Sequence, residues 1–175
     1  ELEAADAKDY PGYQRAFADR VSKAVAPLGL LHVADAEARG LFRTLGQHVL
    51  LRFFRDDSGE TGIAAFAVKP KWPGWIAFLL MLLTGKWRVT RMVECVTQFD
   101  DGAHLSTQHD NPSPFEFEGH IRIERLPART PVAALVARHA QETRDFEAQA
   151  AAQRQALEAE LAARQADGDR AQAAA

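Results

Sequence analysis

Apolar and polar residues alternate with two different periods along this chain, and the switches between them mark its elements. Between Tyr13 and Ala26, Phe17, Val21, Ala24 and Val25 recur at i, i+4, i+7 and i+8, the spacing of one buried helix face, and Pro27 ends the run. His48–Arg55 has the strand period instead: Val49, Leu51 and Phe53 fall on one face, while Leu50 and Phe54 make the other face apolar too. Asp56-Asp57-Ser58-Gly59 reads as a turn and Thr61–Val68 as the returning strand. Leu28–Val33 reads as a short strand and Ala34–Gly40 as a turn or helical fragment.

The clearest hairpin lies further on. Taking Asp100-Asp101-Gly102 as a three-residue loop, with Gly102 left-handed, pairs Phe99 with Ala103, Thr97 with Leu105 and Cys95 with Thr107. That register puts Val93, Cys95, Thr97, Phe99, Ala103 and Leu105 on one face, and Glu94, Gln98, His104 and Gln108 on the other. Residues 110–119 read as a loop. His120–Arg125 reads as a strand with Ile121 and Ile123 inward and His120, Arg122 and Glu124 outward. Thr130-Pro131 then opens a helix whose stripe of Val132, Leu135, Val136 and His139 should cover the sheet. Beyond Gln141 the composition favours helix to about Ala166, with only Phe146, Leu157 and Leu161 as a sparse apolar seam.

These elements predict an α+β fold, a mostly antiparallel sheet of about five strands covered by two helices on one face. Residues 1–12 form a flexible lead-in, 13–140 a single domain and 141–175 a helical extension with a frayed tail. Residues 69–91 interrupt the domain as a short hydrophobic insert.

The insert is the one segment that points to a physical environment. Trp72 and Trp75 precede the run Ile76-Ala77-Phe78-Leu79-Leu80-Met81-Leu82-Leu83, and Trp87 follows it. Lys69, Lys71, Lys86, Arg88 and Arg91 flank it with no acidic residue, a local charge of +5 in a chain whose net charge is −3. Hydrocarbon between aromatic rings, with cations outside them, is the pattern of a segment at a lipid–water boundary. Extended through Gly85 it makes a helix of roughly 16 Å, against about 30 Å of bilayer hydrocarbon, so it cannot span. Two readings stay open. A buried core helix is the usual fate of a short apolar run, but this one lacks the polar face of a helix at the surface of a small domain. Contact with lipid or a membrane-protein partner uses that missing face, through Lys69, Lys71, Trp72, Trp75, Phe78, Leu79, Leu82, Lys86, Trp87 and Arg88.

Composition narrows the classes. A chain of 175 residues, 47% hydrophobic and 26% charged, holds one ordinary core and is not of the disordered type. The near-neutral charge, with no basic face outside the insert, speaks against nucleic acid as a partner. A lone Cys95 rules out an internal disulfide and a cysteine-based zinc site. Arginine exceeds lysine by 16 to 5, in keeping with a GC-rich bacterial origin. The first residue is Glu1, too large in second place for ordinary initiator-methionine removal. A preceding signal peptide, a membrane anchor or an artificial boundary is therefore expected.

Catalytic chemistry finds little footing. The chain has no Gly-x-Ser-x-Gly elbow, His-Glu-x-x-His helix, phosphate-binding glycine loop or calcium loop. His104, His109 and His120 cluster in sequence near Asp100, Asp101 and Asp110, but the hairpin register turns His104 and His109 to opposite faces. Ser106 shares a face with His104 yet has no evident third partner. The sequence thus implies a non-enzymatic, membrane-associated bacterial domain with no cofactor. Its partners would be a membrane surface or membrane protein, and a protein or second copy held through residues 141–166. A carrier of an apolar ligand or lipid is one alternative, and a small hydrolase or metal-dependent enzyme using the histidine-bearing hairpin is another.

Overall fold

The structure, a computed structural model, describes residues 2–38, 40, 46–70, 72–85, 87–100, 102–110 and 121–173, with side-chain burial given to residue 161 except at 121. The chain divides into two compact units, Glu1–His139 and Ala140–Ala175. The first is an α+β domain. Its strands are β1 (Leu2–Ala4), β2 (Leu31–Ala38), β3 (Leu50–Arg55), β4 (Thr61–Val68), β5 (Thr90–Gln98), β6 (His104–His109) and β7 (Ile121–Leu126). They form one sheet in sequence order, antiparallel throughout except for the parallel β6–β7 pair. Among the described residues there are three α-helices: α1 (Gly12–Val25), α2 (Trp75–Leu83) and α3 (Val132–Ala173).

One face of the sheet carries the helices. Phe17, Val21 and Val25 of α1 and Leu135 of α3 pack with Phe54, Ile63, Ala65, Ala67, Val93 and Cys95. Arg52 ties this layer together: its guanidinium donates two bonds to Asp35 of β2, at 2.7 and 2.8 Å, and one to Asp19 of α1 at 2.8 Å. Burial opposes ionisation of Asp35, but the bonds from Arg52 and His32 outweigh it and hold the carboxyl below its ordinary value. Buried Gln14 of α1 accepts from the Leu50 N–H and donates to the His48 carbonyl, satisfying backbone groups where β3 begins. The second face holds its own cluster of Ala38, Val49, Leu51, Phe66 and Met92, so the sheet is greasy on both sides.

The β5–β6 hairpin has the expected register. Cys95 pairs with Thr107 and Thr97 with Leu105, Phe99 N–H donates to the Ala103 carbonyl, and Gly102 is left-handed at φ 82°. The stripe at the start of α3 also packs as expected, with Leu135 and His139 buried and Val132 and Val136 against the core.

Other expectations need correction. The sheet has seven strands rather than about five, and three helices rather than two, because the insert is itself a helix and the Thr130 helix runs on to Ala173 without a break. The segment read as a flexible lead-in holds β1, where Glu3 pairs with Glu37, and a 3₁₀ turn at Ala7–Asp9. Residues 34–38, read as a turn or helical fragment, are strand: Ala36 and Ala38 are buried on one side, and Asp35 and Glu37 bond Arg52 and Tyr10 on the other. Alanine and acidic residues carry little strand propensity, so that alternation was hard to see. In β7 the faces are reversed. Parallel pairing sets Glu124 beside Thr107, where it bonds Arg138 of α3, and leaves Ile123 43% exposed.

His139 closes the α3–sheet contact. Its ring nitrogens lie 2.9 Å from the hydroxyls of Thr97 and of Thr107, and the residue is 1% exposed. Burial pushes the imidazole down from 6.5 to about 4, the nearby Glu124 charge offsetting only part of this. The unfolded chain therefore takes up a proton that the folded chain refuses, and stability falls as pH drops from the first value toward the second. The loss should total roughly 3 kcal/mol. Denaturant unfolding of the protein and of His139→Gln across that window checks this: the variant should lack the His139 component of the slope.

Candidate functional site

The insert leaves the sheet from β4 and returns to β5, whose last paired residues are Val68 and Thr90. Its root is fixed to α1. The Gln47 amide donates to the Lys69 carbonyl at 2.6 Å, the Tyr13 hydroxyl donates to Gln47 at 3.0 Å, and the Lys69 ammonium sits 4.4 Å from the centre of the Tyr13 ring. Lys69 thus remains exposed but is held over an aromatic face of the domain. Lys71 and Lys86 lie outside the described residues.

Within the insert, α2 is nine residues long and none of them is buried. Ile76, Leu79, Leu80 and Leu83, at i, i+3, i+4 and i+7, present one apolar stripe that is 80%, 52%, 58% and 83% exposed. The core-helix reading of this run is not what the fold adopts. Thr84 ends the helix, its hydroxyl donating to the Leu80 carbonyl at 2.8 Å, and Gly85 at φ 65° reverses the chain in a conformation that side chains disfavour. The Trp87 N–H then reaches the Met81 carbonyl at 3.0 Å.

That reversal gathers the aromatics in a way the linear pattern does not convey. Trp87 packs edge-on to Trp72 at 5.8 Å and to Phe78 at 5.0 Å, and Trp72 meets Trp75 at 5.5 Å and Phe78 at 4.7 Å. Rings expected at opposite ends of the segment form a single cluster beside the helix. Phe78 and Trp87 are half-buried by it, whereas Trp72, Trp75, Leu79, Leu82 and Arg88 are exposed.

The histidine-bearing hairpin offers a second place to look. His104, half-buried on the second face, lines a hollow of about 630 Å³ with Arg55, Glu60, Gln98 and Ser106. His109 points to the opposite face, 2.9 Å from the Thr130 carbonyl, and His120 lies outside the described residues. Ser106 donates to Glu94 at 2.7 Å, so its hydroxyl is committed to a carboxylate. Among the described residues no group of three His, Cys, Asp or Glu could hold a metal ion. Cys95 is fully buried, and burial followed by the Glu94 charge pushes its thiol far above the usual range.

Glu94 lies on the face opposite Cys95, as the register predicts, but that face is covered, and the residue is 2% exposed behind Ser106. Burial raises its carboxyl above the ordinary 4.5, with the Ser106 bond offsetting part of the effect. The alternation in β5 gave its side of the sheet correctly but not the burial of that side, which depends on Met92, Phe66 and Leu51 packing there.

Comparison with protein-family models, with curated proteins and with solved structures finds no match. The fold and the exposed insert define an α+β domain that presents an apolar helix on an aromatic root. Among the described residues no helix is long and apolar enough to cross a membrane.

Two outcomes follow from this geometry. Leu79→Ser or Leu83→Ser should change the unfolding free energy by less than about 1 kcal/mol, while Leu135→Ala should cost roughly 2–5 kcal/mol. Denaturant titration of the soluble protein distinguishes them, and a large loss at Leu83 would place that side chain inside. For Glu94 the sign is opposite to that of His139: its contribution is whole below 4.5 and is lost as pH rises through the raised value. Glu94→Gln, which retains an acceptor for Ser106, should flatten that decline with rising pH.

Proposed function

We propose that this is a non-enzymatic, membrane-associated domain whose insert rests in the interface of a lipid bilayer. The observation that carries the reading is the exposed stripe of Ile76, Leu79, Leu80 and Leu83 on a helix with no buried residue. A monomer in water gains nothing from leaving large aliphatic side chains in a contiguous exposed patch, and such patches mark contact with a partner or a membrane. Charge favours the membrane among those occupants. The segment 69–91 carries five basic residues and no acid, so its surroundings complement an anionic surface, while the net charge of the whole chain is −3. A helix of roughly 14 Å fits an orientation along the interface rather than across it.

A second role for the C-terminal unit rests on Leu157 and Leu161, which are 57% and 50% exposed on a helix otherwise rich in alanine and charge. We propose these as the docking positions for another protein or a second copy of the chain.

Sedimentation with vesicles tests the membrane role. The intact protein should pellet with vesicles containing phosphatidylglycerol, and Leu79→Ser/Leu83→Ser should remove most of that binding, at about 1.5–3 kcal/mol for each large aliphatic side chain withheld from hydrocarbon. Binding should weaken with added salt as the basic flanks are screened. Absence of binding at low salt would point to a protein as the occupant of the stripe.

A further inference from the structure

A hollow at the foot of the insert gathers three arginines from two parts of the chain. Arg88 and Arg91 flank the start of β5, and Arg129 stands in the turn before α3. With Val89, Thr90 and Ala128 they line a depression of about 540 Å³. Among the described residues no carboxylate lines it. Elsewhere in the domain, Arg52 pairs with Asp19 and Asp35, and Arg138 with Glu124.

Three cationic residues lining one hollow repel one another, and an anion bound there relieves that repulsion. The planar fork of arginine matches the oxygens of a phosphate in two-bond geometry. Arg91 is also engaged within the chain, so it supplies charge, while Arg129 and Arg88, whose guanidinium lies against Gly85, are exposed to solvent.

Position chooses the source of the phosphate. Arg88 directly follows Trp87, a member of the aromatic cluster at the root of α2. If α2 lies at the headgroup–acyl boundary, Arg88, one residue beyond its root, stands in the phosphate layer, and Arg129 lines the same hollow. We propose that this hollow binds the phosphate of an anionic phospholipid, giving the apolar anchor a headgroup preference. The proposal rests on the membrane reading of the insert.

The test uses the full chain with two vesicle types, phosphatidylcholine alone and phosphatidylcholine mixed with phosphatidylglycerol. The wild type should bind both and prefer the mixture. Arg88→Gln/Arg129→Gln should lower affinity for the mixed vesicles on the order of twenty-five-fold, from about fivefold per basic residue, and change binding to pure phosphatidylcholine far less, because its choline cation offsets the phosphate charge. Arg20→Gln/Lys23→Gln, which removes two exposed cations from α1, is the charge-matched control and should remain near wild type. Arg129→Lys keeps the charge without the fork and should recover only part of the loss. Equal losses in the two double variants, or full recovery with lysine, would overturn the site in favour of diffuse attraction. Glycerol phosphate titrated without vesicles should bind far more weakly; affinity equal to that for the mixed vesicles would overturn the lipid source. Wild-type binding to both vesicle types without preference refutes the headgroup site alone, whereas binding to neither removes the membrane reading beneath it.

Discussion

Eight consecutive residue pairs, from Thr61 with Thr97 to Val68 with Thr90, bind β4 to β5 and hold the two roots of the insert at neighbouring positions in the sheet. Whatever the segment between them does, it must leave and return at the same end of one hairpin. A nine-residue helix of wholly apolar side chains cannot also fold back into a core already filled by α1 and α3, so it stands out in the solvent. The Gln47–Tyr13–Lys69 contacts fix its outgoing root, and the left-handed turn at Gly85 brings the returning strand back beneath the aromatic cluster. The exposure of the insert is thus a product of topology as much as of composition.

The domain supporting that hairpin is held by polar contacts as well as by its core. Arg52 joins α1, β2 and β3, Gln14 closes the start of β3, and His139 joins α3 to β5 and β6. Each is buried or half-buried with partners of good geometry, the condition under which a buried polar group specifies an arrangement rather than weakening it. His139 and Glu94 lie on opposite faces of the same strand region, and burial disfavours the charged form of both.

Local signals were legible where they carried stereochemistry. Asp100-Asp101-Gly102 determined a turn and hence the pairing of Cys95 with Thr107, and the helical spacing of Phe17, Val21 and Val25 identified the buried face of α1. The insert was legible for the same reason: an apolar run with no polar side is visible without knowing its neighbours. What escaped depended on partners distant in sequence. Residues 34–38 become strand through pairing with β3, and the faces of β7 were reversed because a parallel partner and Arg138 decide its orientation. Arg129 and Arg88 line one hollow from two separate segments, and no spacing rule links them.

All three tryptophans of the chain lie between residues 72 and 87, in the insert, and none is in the core. Intrinsic emission of this protein is therefore a local reporter of the polarity around α2. A melting curve followed at tryptophan wavelengths would be nearly silent about the sheet, which Tyr10 and Tyr13 or far-ultraviolet dichroism would follow instead. The edge-on contacts of Trp72 with Trp75 and Trp87, at 5.5 and 5.8 Å, place their transition dipoles close enough to couple. Their near-ultraviolet dichroism then belongs to the cluster as a unit, and its loss ahead of the far-ultraviolet signal would mark opening of the insert's root while the domain beneath it is still folded.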